Sequence, residues 1–442
     1  MCIRDRNDDV TLKGATYGLF AAEDIKVGGK VIVAKDTLLE SVVSNQDGVA
    51  AFTVDLPINH KYYILETSAP DKYYQTDEKF EFEYVYKDDT TYQYVFSHIF
   101  KNEEVRAEIH IEKIDKETNE FLPQGDATLI GAEYGLFAAE NISHPNGKSE
   151  DVYKKGDLVA RGEIGKDGTL DFQNLYLGKY FVKELKASEG YLLDPTEYPV
   201  DAAYEGQEVK IVHRDVTVHE TVKKQAFGLI KVGSDGEQTE AELLEGAGFK
   251  VYHIQSLKGV KDGSIKPNEQ GKFSPEQFRD YDFSKETTAM DYSEDSHGKP
   301  MPEFFTDKKG YAVSRELAYG TYVVIESTVP KNFNRIDPFI VTINEDNREP
   351  QQWRVFIDYK FQAFLKIYKI DGTSKLPVLH AGATFKIFDL DKGEYVTQHT
   401  HYPELVEHTS FRTSDDGYLI TPEKLPAGHY LSLIHISEPT RP

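Results

Sequence analysis

Three kinds of charged or polar side chain recur at matched positions along the chain. Glu66, Glu184 and Glu326 each end an aromatic-rich stretch: KYYILE, KYFVKE and TYVVIE. Lys113, Lys231 and Lys369 each end an alternating apolar stretch: IHIEK, FGLIK and LKIYK. Side chains alternate faces along a β-strand. Glutamate therefore shares the apolar face of Tyr62 and Ile64, of Tyr180 and Val182, and of Tyr322 and Val324. Lysine likewise continues the face of Ile109 and Ile111, of Phe227 and Leu229, and of Leu365 and Ile367. Buried lysine or glutamate is costly unless paired or neutralised, so inward charges of both signs predict that they meet. The competing readings are strand ends in solvent and plain salt bridges. Counting 11 residues back from each lysine gives Asn102, Glu220 and Asp358, an amide or carboxyl in every case. Val216 and Val218 share a face with Glu220, which points it inward, whereas Asp215 is the poorer alternative by register.

The elements that carry these residues form a repeat. Gly-Ala-x-aromatic cassettes start at Gly14, Gly131, Gly246 and Gly382, spaced 117, 115 and 136 residues apart, the length of a domain. Strand patterns of period two, separated by turns such as KDGT, KKGY and DDGY, predict an all-β fold of tandem antiparallel β-sandwich domains in a rod. The expected repeats are 7–104, 105–222, 223–360 and 361–430. The third exceeds the first two by about 27 residues within 256–302. That insertion is expected to be a surface excursion, with a short helix started by Ser274 as N-cap and Pro275 at its first position. Residues 1–6 and 431–442 fit neither the repeat nor a signal peptide and resemble translated sequencing-adapter DNA. They are set aside, and with them the only cysteine, Cys2. On this reading the lysine of the first repeat lies upstream of the sequence, and the fourth repeat stops where its glutamate strand begins.

The ordered motifs resemble the Cna protein B-type, or SpaA-like prealbumin-fold, domains of Gram-positive surface proteins and pili. IEKID and LIKVGSD match the first strand, GAEYGLF and GAGFKVY the second, KYFVKELKASEGY and TYVVIESTVPKNF the glutamate strand, and FKNEE the closing strand. The resemblance implies a spontaneous intramolecular isopeptide bond. Lysine attacks the side-chain carbonyl of Asn or Asp, with the buried glutamate as proton shuttle. Desolvation lowers a lysine pKa and raises a carboxyl pKa, so a neutral nucleophile and a protonated acid can coexist there. An Asn acceptor releases ammonia and an Asp acceptor water. Only the third repeat holds a full set, Lys231, Glu326 and Asp358. The second has Lys113 and Glu184 but departs from the pattern with Glu220. The first has Glu66 and Asn102, and the fourth has Lys369.

A net charge of −24 argues against nucleic acid and anionic membrane as partners. No apolar run approaches a membrane helix. No cofactor and no multiple-turnover enzymology are expected. His399, His401 and His408 read as surface loop, and the acidic stretch 291–296 as solvated insertion. The function expected is a structural stalk or adhesin shaft on a Gram-positive surface, extracellular and attached to the cell wall through an anchor outside this sequence. One alternative is an adhesin whose third-repeat insertion contacts a host extracellular protein or glycan. A second is the non-catalytic stalk of a larger surface enzyme. No pilin-type lysine motif is present, since TEYPV has no lysine after its proline.

Overall fold

The computed structural model describes residues 2–7, 10–91, 94–146, 150–234, 241–294, 296–379 and 381–435. The rest of the two terminal segments, Met1 and residues 436–442, lies outside them. The chain divides into two compact units, Met1–Lys223 and Lys224–Pro442.

Within the first unit, strand Arg106–Asp115 runs between Thr169–Leu175 and Ile211–Glu220. A second, four-stranded antiparallel sheet faces it. Glu133–Ala138 and Gly178–Lys186 form its centre, and Leu158–Glu163 and Glu197–Ala202 its edges. Inward residues of both sheets, among them Ile109, Ile111, Leu136, Tyr180 and Val182, make one core. Burying such side chains stabilises each by about 1.5–3 kcal/mol. The earlier part of this unit repeats the plan. Cys2–Asn7 lies beside Ser97–Lys101, and Thr16–Ala21 and His60–Ser68 centre the facing sheet.

The second unit contains the same sandwich. Lys224–Ser234 lies between Asn347–Tyr359 on one side and Tyr311–Val313 and Leu317–Ala318 on the other. The facing sheet runs Phe304–Phe305, Gly248–His253, Gly320–Thr328, Phe339–Ile343. Further along, Thr384–Asp389 pairs with Phe411–Arg412 and with Tyr430–His435. The strands Cys2–Asn7 and Tyr430–His435 thus include residues set aside on sequence grounds.

One feature departs from a purely antiparallel sandwich. In three repeats the first strand pairs with the closing strand in parallel. Parallel neighbours need a long crossover, and here all the intervening strands of the repeat supply it. The cassette glycine explains itself as well. Gly14, Gly131, Gly246 and Gly382 all have φ between 80° and 113°, a left-handed turn that favours glycine. The alanine that follows is anchored by a hydroxyl in three repeats: Ala15 N donates to Ser44 Oγ at 2.9 Å, Ala247 N to Thr306 Oγ1 at 2.9 Å and Ala383 N to Thr413 Oγ1 at 3.1 Å.

The third-repeat insertion is more ordered than a surface excursion. Ser274 N donates to Gln277 Oε1 at 2.8 Å, and Pro275 opens the turn as expected, but the turn Pro275–Phe278 is 3-10 rather than α. A four-residue α-turn, Lys258–Lys261, precedes it. Leu257 and Phe278, both fully buried, cover Tyr252 and Val323 on the outer face of the sheet. The stretch 291–296 is not simply solvated. It delivers Tyr292 into the core, its ring centroid 5.3 Å from that of Phe304, because an aromatic ring among acidic neighbours is the part that gains from burial. The histidines also differ from expectation. His399 and His408 sit on a two-stranded ribbon, Gln398–Thr400 with Val406–His408, and His401 follows it; no metal-holding cluster exists among the described residues. Phe278→Ala should weaken docking of the insertion by about 3–5 kcal/mol. The expected result is faster proteolysis between residues 257 and 290, with hydrogen exchange of the sandwich strands unchanged.

Candidate functional site

Parallel register brings the trio together. Lys113 lies opposite Val218, and Asp115 opposite Glu220; Lys231 lies opposite Phe356, and Gly233 opposite Asp358. The acceptor is therefore two residues beyond the lysine's partner and on the same inward face. The glutamate arrives from the facing sheet, paired with the cassette aromatic: Tyr17 with Glu66, Tyr134 with Glu184 and Phe249 with Glu326. Lys113, Lys231, Glu66, Glu184, Glu326, Asn102, Glu220 and Asp358 are all buried, so solvent-exposed strand ends are excluded, whereas Asp215 is exposed.

In the third repeat Lys231 Nζ touches Asp358 Oδ1 and lies 3.1 Å from Glu326 Oε1. Glu326 Oε2 accepts from Ile336 N at 2.9 Å. Lys231 Nζ and both Asp358 oxygens, by contrast, have no hydrogen bond of good geometry. The Phe249 ring flanks the amine, its centroid 5.8 Å away. Burial pushes the carboxyls of both Glu326 and Asp358 above their ordinary range, against the pull of Lys231.

The second repeat assembles the same positions differently. Lys113 Nζ lies 3.5 Å from Glu184 Oε1 and 3.4 Å from Glu220 Oε1, and it donates to Ser188 Oγ at 3.1 Å. Tyr134 OH donates to Glu220 Oε1 at 2.5 Å, and Asp194 N to Glu184 Oε2 at 2.7 Å. Each of the three charged groups thus has a hydrogen-bond partner, which the third repeat denies to Lys231 and Asp358. Desolvation holds Lys113 below its usual range and raises Glu220 to about 7.

In the first repeat the glutamate and the acceptor are already together. Asn102 Nδ2 donates to Glu66 Oε1 at 3.0 Å, to Glu66 Oε2 at 2.8 Å and to Tyr74 O at 3.1 Å. Burial raises the Glu66 carboxyl. Register puts the lysine position at residue 5, opposite Phe100, within the segment set aside on sequence grounds. In the fourth repeat Lys369 is half-buried, and the register position of the glutamate, opposite Phe385, is held by Ile434.

Sequence reasoning missed a shared support. A backbone N–H ten residues after each glutamate donates to its Oε2: Thr76 at 3.0 Å, Asp194 at 2.7 Å and Ile336 at 2.9 Å. Ser188 and the Tyr134 hydroxyl were also missed. The signal for Tyr134 was available in the cassettes, which read Tyr in the first two repeats and Phe in the third.

An all-β chain of tandem prealbumin-like sandwiches is the class that this topology defines. Residues 4–98, 107–217 and 226–354 match the model of the SpaA prealbumin-like fold domain, and the chain belongs to that family. Solved structures similar in fold include the Bacillus anthracis TIE protein, at 19% identity and TM-score 0.47, covering 81% of this chain and 50% of that one. Others are a Streptococcal ancillary pilin (17% identity, TM-score 0.24, 81% and 98% covered) and BcpA, the major pilin subunit of Bacillus cereus (15% identity, TM-score 0.28, 82% and 99% covered). The chain spans half the length of the TIE protein. No curated protein matches it.

The raised Glu220 carboxyl sets a pH dependence. Its ordinary value is 4.5 and its folded value about 7, so between these the native state holds a proton that the unfolded chain has lost. Stability contributed by this group is full below pH 4.5 and falls as pH rises toward 7. Lys113, pushed down, acts with the opposite sign on the alkaline side. Hydrogen exchange of the second-repeat strands should therefore quicken, after correction for intrinsic rates, from pH 4.5 to 7. Glu220→Gln should flatten that slope.

Proposed function

We propose that the chain is a structural surface protein, a run of SpaA-like domains acting as the stalk or adhesin shaft of a Gram-positive cell wall. An internal amide between Lys231 Nζ and Asp358 Cγ hardens its third repeat. One observation carries the crosslink: Lys231 and Asp358 are in contact in the buried interior without the hydrogen bonds that an ion pair needs there. Desolvation costs several kcal/mol per ion, and attraction offsets it only with good geometry and satisfied lone pairs. An amide removes both charges and leaves one N–H beside Glu326 Oε1.

The step balances internally. The neutral Lys231 amine attacks Asp358 Cγ while protonated Glu326 hydrogen-bonds the carbonyl oxygen. The amine proton passes through Glu326 to the departing hydroxyl, water leaves, and Glu326 ends in its starting protonation state. Fixed contact supplies the effective concentration that an uncatalysed amide synthesis lacks. The reaction occurs once per molecule, so this is self-processing rather than enzyme turnover. In the second repeat the longer Glu220, held by Tyr134, favours an ion pair with Lys113. Register places the lysine of the first repeat and the glutamate of the fourth at positions 5 and 434, both within the segments set aside on sequence grounds, so the crosslink proposal is confined to the third repeat.

A second reading accompanies the first. The third-repeat insertion encloses a cleft of about 660 Å³, which supports an adhesin contacting a host protein or glycan. Deleting residues 257–301 should then abolish host-cell adhesion while leaving the crosslink intact.

Intact mass of the full chain should fall one water short of the value expected from sequence. Lys231→Ala and Glu326→Ala should each restore the full mass, and Asp358→Asn should change the deficit from water to ammonia. A full mass in the unmutated chain excludes the bond. In the chain-entropy model a link across a loop of this size is worth about 4–5 kcal/mol, so Lys231→Ala should lower the unfolding temperature of the third repeat.

A further inference from the structure

We infer that the cleft between the third-repeat insertion and the sheet binds a carboxylated sugar at the end or within the chain of a glycan. This deepens the adhesin reading and rests on it.

The cleft exists because this repeat treats one sheet face differently. Lys250, Tyr252, Val323, Ile325 and Ser327 belong to the face turned away from the sandwich core, as strand parity from Phe249 and Val324 requires. The insertion covers one half of that face, where Leu257 and Phe278 pack on Tyr252 and Val323. The other half, around Lys250, Ile325 and Ser327, stays open as the floor of the 660 Å³ cleft, with Phe283, Thr287 and Arg335 among its other lining residues.

The first two repeats close the same place, whereas the fourth also carries a lysine there, Lys386, which lies over the Tyr395 ring at 5.3 Å. Gly18 and Gly135 stand where the third repeat has Lys250. A Cβ at Gly18 would lie 2.5 Å from the Phe20 ring, and one at Gly135 2.7 Å from the Phe137 ring. Phe20 stacks on Tyr63, and Phe137 on Phe181, with centroids 5.1 Å apart in both pairs. In the third repeat Val323 replaces the second ring, and Tyr252 meets Phe283 of the insertion instead, at 4.8 Å. A side chain is thereby admitted, and it is a lysine.

The unpaired groups point to the ligand class. Asp282 and Glu286 balance the two cations of the lining in formal charge, but both are already hydrogen-bonded: Asp282 Oδ1 accepts from Ser284 N at 3.0 Å and Oγ at 2.6 Å, and Glu286 Oε1 accepts from Tyr281 OH at 2.6 Å. Lys250 and Arg335 have no ion pair or hydrogen bond among the described residues. Two unpaired cations in one concavity, in a chain of net charge −24, suit an anionic ligand. The guanidinium suits a carboxylate in two-point contact. The Thr287 hydroxyl and the ring of Phe283 suit the hydroxyl and apolar faces of a sugar, in a cleft within the volume range of small-molecule sites, while Ser327 Oγ already donates to Glu303 Oε1.

The test is calorimetric titration of the full chain with 3′-sialyllactose, a hyaluronan tetrasaccharide, lactose and hexaglutamate. The first two present the carboxylate from a sialic or a uronic acid; the others remove the acid or the sugar. Binding of either acidic sugar is expected, with lactose and hexaglutamate at least about tenfold weaker, the scale of one charge-assisted hydrogen bond. Lys250→Gln and Arg335→Gln should each weaken binding about tenfold, and Arg335, exposed, can be changed without disturbing the fold. Lys308→Gln, at an exposed lysine outside the cleft, should leave affinity unchanged. Equal binding of lactose, tighter binding of hexaglutamate, absence of acidic-sugar binding, or full affinity in the Lys250→Gln/Arg335→Gln double variant overturns the proposal. If deletion of the insertion still abolishes adhesion in those cases, the adhesin reading stands and only the ligand class falls.

Discussion

Parallel pairing of the first and closing strands is the constraint on which the rest depends. It puts a lysine and an acceptor two register steps apart on one inward face, under a glutamate from the facing sheet. These groups are cut off from solvent, so each must be paired, neutralised or consumed. The sandwich supplies rigid placement, and burial raises the carboxyls of Glu326 and Asp358. In the third repeat the chain enters along Lys224–Ser234 and leaves along Asn347–Tyr359, the two strands that the crosslink would join. With the proposed bond in place, a pull on the chain ends would meet a covalent link before it meets the core.

The repeats show how small changes redirect the same site. A tyrosine in the cassette of the second repeat hydrogen-bonds the acceptor carboxylate, and Ser188 takes a hydrogen bond from the lysine. A phenylalanine in the third offers no hydroxyl, and its acceptor is one methylene shorter. The lysine and acceptor are in contact there, while in the second repeat they stand 3.4 Å apart, each hydrogen-bonded to another side chain. In the first repeat Asn102 and Glu66 are already joined by two hydrogen bonds, so the acceptor side forms without a lysine. The glutamate support is common to all three because it comes from the backbone.

Much of this was legible from sequence, for identifiable reasons. Strand period two exposed the inward lysines and glutamates. The constant 11-residue offset to Asn102, Glu220 and Asp358 worked because each closing strand leads directly into the next lysine strand. The backbone donors at Thr76, Asp194 and Ile336 leave no side-chain signature, and the parallel pairing is invisible to periodicity. The insertion was misjudged because its core residues Leu257, Phe278 and Tyr292 follow no period of 2 or 3.6, and its acidic residues suggested solvent.

The central claim is a covalent bond in the third repeat, and a crystal structure at about 1.5 Å resolution or better tests it most directly. The prediction is continuous, planar density from Lys231 Nζ to Asp358 Cγ at an amide C–N length of about 1.33 Å, with Glu326 beside it. Separate Lys231 and Asp358 groups with N···O spacing of about 2.7 Å or more would contradict it and leave a buried ion pair in its place.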